Sequence, residues 1–237
     1  MMSGKRWGYV VQFFCLLVFL GMSPFLIKMD GRKTMSVSSD SVRSQNVSDE
    51  VKPVVALTFD DGPNASSTPI LLDGLKERKV RATFFLIGEN VEKDENEKIV
   101  KRMYEEGHLI GNHTYTHCNL SKLETGEAKK ELEQTDTVIE KITGKQPVFV
   151  RAPYGELPVD SEQDLNRIYI GWTVDPLDWM TEDTGAVVKT VVEEINPGDV
   201  TLLHDCYPSS VQAAIRIVDL LQGKGYEFVT VDHLIMD

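Results

Sequence analysis

Short apolar runs alternate with amphipathic segments along most of the chain, and most of the runs end in a cluster of polar residues. The runs Val54–Phe59, Ala82–Ile87, His108–Asn112, Val148–Val150, Tyr169–Thr173, Val200–Leu203 and Glu227–Val231 are too short for helices and read as strands. Between them, Thr68–Arg78 carries Ile70, Leu71, Leu72 and Leu75 on one stripe. Glu97–Glu106 stops at Gly107, and Thr125–Thr143 sets Leu132, Val138, Ile139 and Ile142 inward before Gly144. Gly185–Ile195 and Ser209–Gln222 complete the helices. Strands alternating with helices make an α/β protein with a largely parallel sheet buried on both faces. Periodicity leaves an open doubly wound sheet and a closed barrel equally available. Both architectures bind ligands at the C-terminal ends of their strands, so the chemical residues should fall just after the apolar runs.

The ends of the chain differ from its middle. Lys5 and Arg6 precede an apolar run from Gly8 to Ile27, long enough to cross a bilayer. The best signal-peptide cut, Gly21-Met22-Ser23, is followed by Pro24, so residues 1–29 read as an uncleaved membrane anchor with a short cytoplasmic end. A cleaved leader is the alternative and would make the protein secreted. Residues 30–52, rich in Ser, Val, Asp and Asn without apolar period, read as a flexible stalk, and residues 53–237 as one extracytoplasmic domain. The net charge of −12 falls wholly after residue 50, because the first fifty residues hold six Lys/Arg against four Asp/Glu. Such acidity leaves no electrostatic footprint for nucleic acid. Three cysteines, one of them in the apolar run, exclude a disulfide scaffold.

Five polar clusters carry the chemistry. Asp60-Asp61-Gly62-Pro63 places two carboxylates in a turn after an apolar strand, where one can bind a metal and the other accept a proton, or both can serve an Asx-type turn. The Asp-x-Asp spacing of an aspartyl-phosphate phosphatase is missing. His113 and His117 stand four apart, a metal-chelate spacing if the segment makes a helical turn, and three of the five histidines crowd between His108 and His117. Thr114 occupies the position where a zinc protease carries its general base, which excludes that reading. Arg151-Ala152-Pro153-Tyr154 offers a cation to orient a carboxylate and a backbone N–H for an oxyanion. Asp175-Pro176-Leu177-Asp178-Trp179 and Leu202-Leu203-His204 supply further acids, an aromatic ring and a candidate acid or base.

Thr-Phe-Asp-Asp-Gly, His-x-x-x-His, Arg-x-Pro-Tyr, Asp-x-x-Asp-Trp and Leu-x-His, in this order from about Val54 onward, resemble the NodB-homology domain of polysaccharide deacetylases, carbohydrate esterase family 4. The resemblance implies a distorted (β/α)7-type barrel and a divalent metal, zinc first, with cobalt, nickel or manganese tolerated. It implies Asp61, His113 and His117 as ligands, Asp60 as general base and His204 as general acid. Tyr154 would give its backbone N–H to the oxyanion, and Arg151 would orient Asp60. Asp178, or second to it Asp175, would hold His204 cationic, while Trp179 and Leu202 would shape the acetyl pocket. The implied activity is removal of N-acetyl groups from N-acetylglucosamine units, with peptidoglycan taken first and chitin oligomers second, by a monomer. O-deacetylation of xylan and a silent glycan-binding scaffold are the alternatives.

Overall fold

In the computed structural model, which describes residues 52–236 apart from 94, 160 and 162–165, seven strands form one sheet. They are β1 (Val54–Gly62), β2 (Thr83–Leu86), β3 (Leu109–Asn112), β4 (Phe149–Val150), β5 (Ile168–Tyr169), β6 (Val200–His204) and β7 (Glu227–Val229). All pairings are parallel, in the order β5-β4-β3-β2-β1-β6, with β7 beside the start of β1. The helices are α1 (Thr68–Glu77), α2 (Gly88–Val91), α3 (Asn96–Glu105), α4 (Thr125–Thr143), α5 (Thr184–Glu194), α6 (Pro208–Gly223) and α7 (Val231–Met236).

The ladder is interrupted between β5 and β6. Past β5, Val174 makes a single parallel bridge to Thr201, with the Thr173 and Val174 N–H groups donating to Val200 O and the Leu202 N–H to Val174 O. That bridge brings the far edge of the sheet against β6, and the architecture is the distorted barrel rather than an open sheet.

Strand alternation sorts β1 into two faces. Val55, Leu57 and Phe59 pack outward with Leu71, Leu72 and Leu75 of α1 and Ala214, Ile217 and Val218 of α6 in the main core. Ala56, Thr58 and Asp60 therefore point inward, where Ala56 packs with Phe85, Phe149 and Val231. Gly111 is required there, because a Cβ would stand 2.5 Å from the Phe85 ring and 3.0 Å from the Phe149 carbonyl oxygen. The same inner space receives the Arg151 guanidinium, 4.3 Å from the Phe85 ring centroid and 1% exposed. A charge takes a place that barrels usually fill with aliphatic side chains.

Several local expectations are corrected. The Tyr169–Thr173 run contributes only Tyr169 to the two-residue β5, because from Ile170 the chain turns to reach β6. Ile70 is 58% exposed, since one 100° helical step before Leu71 carries it away from the arc of Leu71, Leu72 and Leu75. Glu227–Val231 divides into β7 and the start of α7. No helix among the described residues is long and apolar enough to cross a membrane, and the Gly8–Ile27 run and most of the 30–52 stalk lie outside the described residues.

Candidate active site

The carboxylate pair is separated by a bulge. β1 does not stop at a turn after Phe59 but runs on to Gly62, and its register against β2 slips between Asp60 and Gly62. Asp61 occupies the extra position with φ 70°. The slip gives adjacent acids different surroundings: Asp60 is 3% exposed inside the barrel, while Asp61 stands at its mouth. Gly62 is obligatory, because a Cβ would lie 2.5 Å from the Asp205 carboxylate. Burial pushes that Asp205 carboxyl up to about 7, opposed by the hydrogen bond it accepts from Thr68 Oγ1.

His113 and His117 do converge, though by another route than a helical turn. The segment after β3 is a loop in which Thr114 (φ 65°) and His117 (φ 58°) both adopt left-handed backbone. Non-glycine residues hold that conformation only where surrounding contacts impose it. Here Asn112 and Glu131 impose it. Asn112 Oδ1 accepts from the Thr114 N–H at 2.8 Å, and its amide donates to Leu132 O and to Asp136 Oδ1. Glu131 Oε2 accepts from the N–H groups of Tyr115 and Thr116 at 3.0 and 2.8 Å. Asn90 steadies the facing strand by donating to Asp61 O at 2.7 Å. None of these three stood out in the sequence. Asn112, polar at the end of a buried strand beside a ligand candidate, offered a signal; Glu131 and Asn90 offered none.

Asp61, His113 and His117 place one ligand atom each within 4.8 Å of one another. Asp61 Oδ1 lies 3.4 Å from His113 Nε2 and 3.2 Å from His117 Nε2, is buried, and has no hydrogen-bond partner. His113 Nδ1 meets Arg151 O at 2.7 Å, which makes Nδ1 the donor and leaves Nε2 as a bare lone pair in the neutral ring. A lone pair and an unpartnered buried carboxylate oxygen facing each other repel unless an electrophile lies between them. That arrangement, with one carboxylate and two imidazoles, fits a divalent cation with open positions. Burial favours the neutral form of His117 and lowers its pKa against the pull of Asp61. Burial would raise the Asp61 pKa, but His113, then His117 and His204, carry it below the ordinary carboxylate value. Both shifts favour the ligating forms.

Two further groups flank the triad. Arg151 Nη1 donates to Asp60 Oδ1 at 2.8 Å and to Thr58 Oγ1 at 2.6 Å, while its other nitrogens reach Ile170 O and Gly171 O. Asp60 Oδ2 is thereby turned toward His113 Nε2, 3.7 Å away. His204, at the end of β6, brings Nε2 to 3.9 Å from Asp61 Oδ2. Asp178 grips His204 twice, accepting from its backbone N–H through Oδ2 and meeting Nδ1 through Oδ1, each at 2.8 Å. Burial lowers the His204 pKa, yet the Asp178 hydrogen bond and charge, with Asp60 and Asp61, outweigh it and the net direction is upward. Asp175 takes no part in this pair; its Oδ1 accepts the Leu177 N–H at 2.9 Å in a local turn.

Tyr154 sits in the short 3₁₀ turn Pro153–Gly155 with φ 62°, its ring 5.0 Å from that of His117. Its N–H is donated to no backbone carbonyl among the described residues. Leu202 is buried two residues before His204, on the same strand face, and Trp179 is half-exposed rather than core. Cys118 and Cys206 are both free, and burial, with Asp205 and Asp61, pushes the Cys206 thiol up to about 12. It carries no thiolate at neutral pH. A separate cavity of about 630 Å³, lined by Leu132 and Asp136 of α4 with Gln146, Pro147, Arg167 and Tyr169, includes none of the candidate ligands, acids or bases.

Residues 48–170 match the family described as Polysaccharide deacetylase. A peptidoglycan-N-acetylglucosamine deacetylase of Bacillus cereus is 41% identical over 190 residues, covering 77% of this chain and 68% of that protein. The peptidoglycan-N-acetylmuramic acid deacetylase PdaC of Bacillus subtilis is 38% identical over 194 residues, covering 82% of this chain but only 41% of that longer protein. The solved structure of peptidoglycan deacetylase PdaC from Bacillus subtilis superposes with a TM-score of 0.74 at 38% identity, covering 78% of this chain and 90% of that one. His204 lies past the family match, yet the structure sets it against the triad that the match contains, and the chain belongs to the polysaccharide deacetylase family.

Proposed function

We propose that this protein hydrolyses the N-acetyl group of N-acetylglucosamine units in peptidoglycan, with a zinc ion held by Asp61, His113 and His117. The observation that carries the reading is the buried, unpartnered Asp61 Oδ1 near two imidazole nitrogens, with Asp60 and His204 close to the same cluster. A bound divalent cation supplies Lewis acidity toward the amide oxygen and the water.

The remaining steps belong to the chain's own side chains. Asp60, held in place by the Arg151 hydrogen bond to Oδ1, accepts the proton of the attacking water through Oδ2. The Tyr154 N–H, which has no backbone acceptor among the described residues, bonds the oxygen that becomes anionic when water adds to the carbonyl carbon. His204, cationic through Asp178, gives its Nε2 proton to the sugar nitrogen as the carbon–nitrogen bond breaks. The products are acetate and a free amine. Trp179 and Leu202 wall the space for the acetyl methyl group.

A monomer is the unit of activity proposed here. The apolar Gly8–Ile27 run tethers the domain to the outer face of the cell membrane, with residues 30–52 as its stalk. Purified protein should release acetate from peptidoglycan, lose that release to a chelator, and regain it on addition of zinc. Tight glycan binding without acetate would return the protein to the scaffold class, and release from acetylated xylan alone would make it an esterase.

A further inference from the structure

Asp205 is a buried acid for which the reaction above has no use. It follows His204 directly, is 0% exposed, and its Oδ1 has no hydrogen-bond partner among the described residues. A carboxyl buried with one oxygen unsatisfied costs stability that an apolar side chain of similar size would not. Such a group persists where it does something that packing alone cannot.

The parallel ladder between β1 and β6 ends with Asp60 opposite His204. Beyond that pair β1 carries its bulge at Asp61 and its last residue, Gly62. The Asp205 carboxyl packs against Gly62, its oxygens and carbon lying 2.5, 2.6 and 2.8 Å from the point where a Gly62 Cβ would stand. On the β2 side the Ile87 N–H donates to Gly62 O at 3.1 Å. Gly62 is held from both flanks, and Asp61, one residue earlier, is held with it.

The carboxyl is itself tied down. Thr68 Oγ1 donates to Oδ2, and Ser67 Oγ donates to the Asp205 backbone carbonyl at 2.6 Å. Ser67 stands at the N-cap of α1, where a serine ordinarily caps the helix, yet its side chain makes no cap there. Its hydroxyl is committed to Asp205 instead. Asn64 braces the intervening span: its N–H donates to Thr68 Oγ1 at 2.8 Å, and its Oδ1 accepts from the N–H groups of Ser66 and Ser67. Two strand ends and a helix start therefore meet on one residue. We infer that Asp205 is a positioning residue, which holds the Asp61 bulge at a fixed offset from β6 and so sets the metal ligand against the acid His204.

The inference rests on the reading of Asp61 as a zinc ligand. The test measures zinc Kd by competition with a chromophoric chelator, well below the melting temperature. The proteins are wild type, Asp205→Ala, Asp205→Asn, Gly62→Ala and the Gly62→Ala/Asp205→Ala pair. Zinc binding should weaken about 10-fold to 100-fold in Asp205→Ala, the loss seen when a residue that orients a ligand is removed. Asn keeps the size and can still accept from Thr68, so Asp205→Asn should stay within about threefold of wild type. Gly62 is not among the left-handed glycines, so Gly62→Ala acts through the methyl that meets the carboxyl and should weaken binding too. The two losses should be non-additive in the pair, because the methyl enters space the carboxyl has left. A lowered melting temperature with unchanged zinc Kd in Asp205→Ala is the mark of a merely structural role and overturns the inference. So do additive losses in the pair, and so does a loss as large in Asp205→Asn, which would make charge rather than placement the cause. If Asp205→Ala does not fold, Thr68→Val replaces it: weakened binding that Thr68→Ser restores supports the inference, and unchanged binding overturns it. A wild type that binds no zinc would instead refute the metal reading itself.

Discussion

Replacing Asp178 by Asn tests the acid side of the site without changing its shape. The carboxylate meets the His204 N–H through Oδ2 and Nδ1 through Oδ1, each at 2.8 Å. An amide can accept at only one of these places. If its oxygen faces the backbone N–H, its NH₂ faces Nδ1 and favours the neutral ring; if it turns over, NH₂ and N–H oppose each other. Either way the charge-assisted bond is lost, a change of about 1.5–3 kcal/mol. Applied to proton delivery at the leaving nitrogen, that is about 10-fold to 150-fold in kcat/KM. The pH dependence carries the sharper sign. His204 must be protonated to act, so activity falls as pH rises through its pKa, and Asp178 raises that pKa. The alkaline limb of the kcat/KM profile must therefore move to lower pH in Asp178→Asn, while Asp175→Asn leaves it in place. An Asp178→Asn limb that coincides with wild type, in a protein that melts normally, would refute the assignment of His204 as acid.

Asp60→Asn should keep its metal and lose turnover, whereas His117→Ala should lose both; equal metal loss in the two would exchange the roles of the paired acids. Arg151→Met leaves the Asp60 carboxylate buried without its partner, which should destabilise the fold by about 3–5 kcal/mol in urea unfolding; a change below about 1 kcal/mol would show that Asp60 has another source of charge compensation. Burial lowers the His108 pKa to about 4, and Ala82 N donates to its Nδ1. The unfolded chain takes up that proton first as pH falls. Stability present above about pH 6.5 should decline by up to about 3 kcal/mol on the way to pH 4, and His108→Gln should flatten this slope.

The site was more legible in the sequence than the framework that shapes it. Ligands and acids follow strands, and a strand end is visible as an apolar run meeting a polar cluster, which is how Asp60, His113, Arg151, Asp178 and His204 were found together. Backbone conformation leaves no such trace. The left-handed residues Thr114 and His117 look like ordinary loop residues, so a helical turn was the natural expectation for a four-residue spacing. Glu131 and Asp136 lie on the amphipathic α4, where acids normally face solvent, and only the fold reveals that Glu131 holds the ligand loop and that Asp136 is buried against Asn112 and Arg167. Barrel closure was equally hidden, because it depends on one bridge at Val174 rather than on a strand. From its motif Arg151 is a partner for one carboxylate. The structure adds that its carbonyl sets the His113 tautomer, joining base and ligand through one residue.

X-ray absorption at the zinc edge of the loaded protein examines the metal centre itself. Two imidazole rings and light-atom ligands at about 2.0–2.2 Å should surround the ion in wild type, and one imidazole should remain in any zinc retained by His117→Ala. A wild-type spectrum without imidazole scattering, or one unchanged in His117→Ala, would contradict a cation shared by Asp61, His113 and His117.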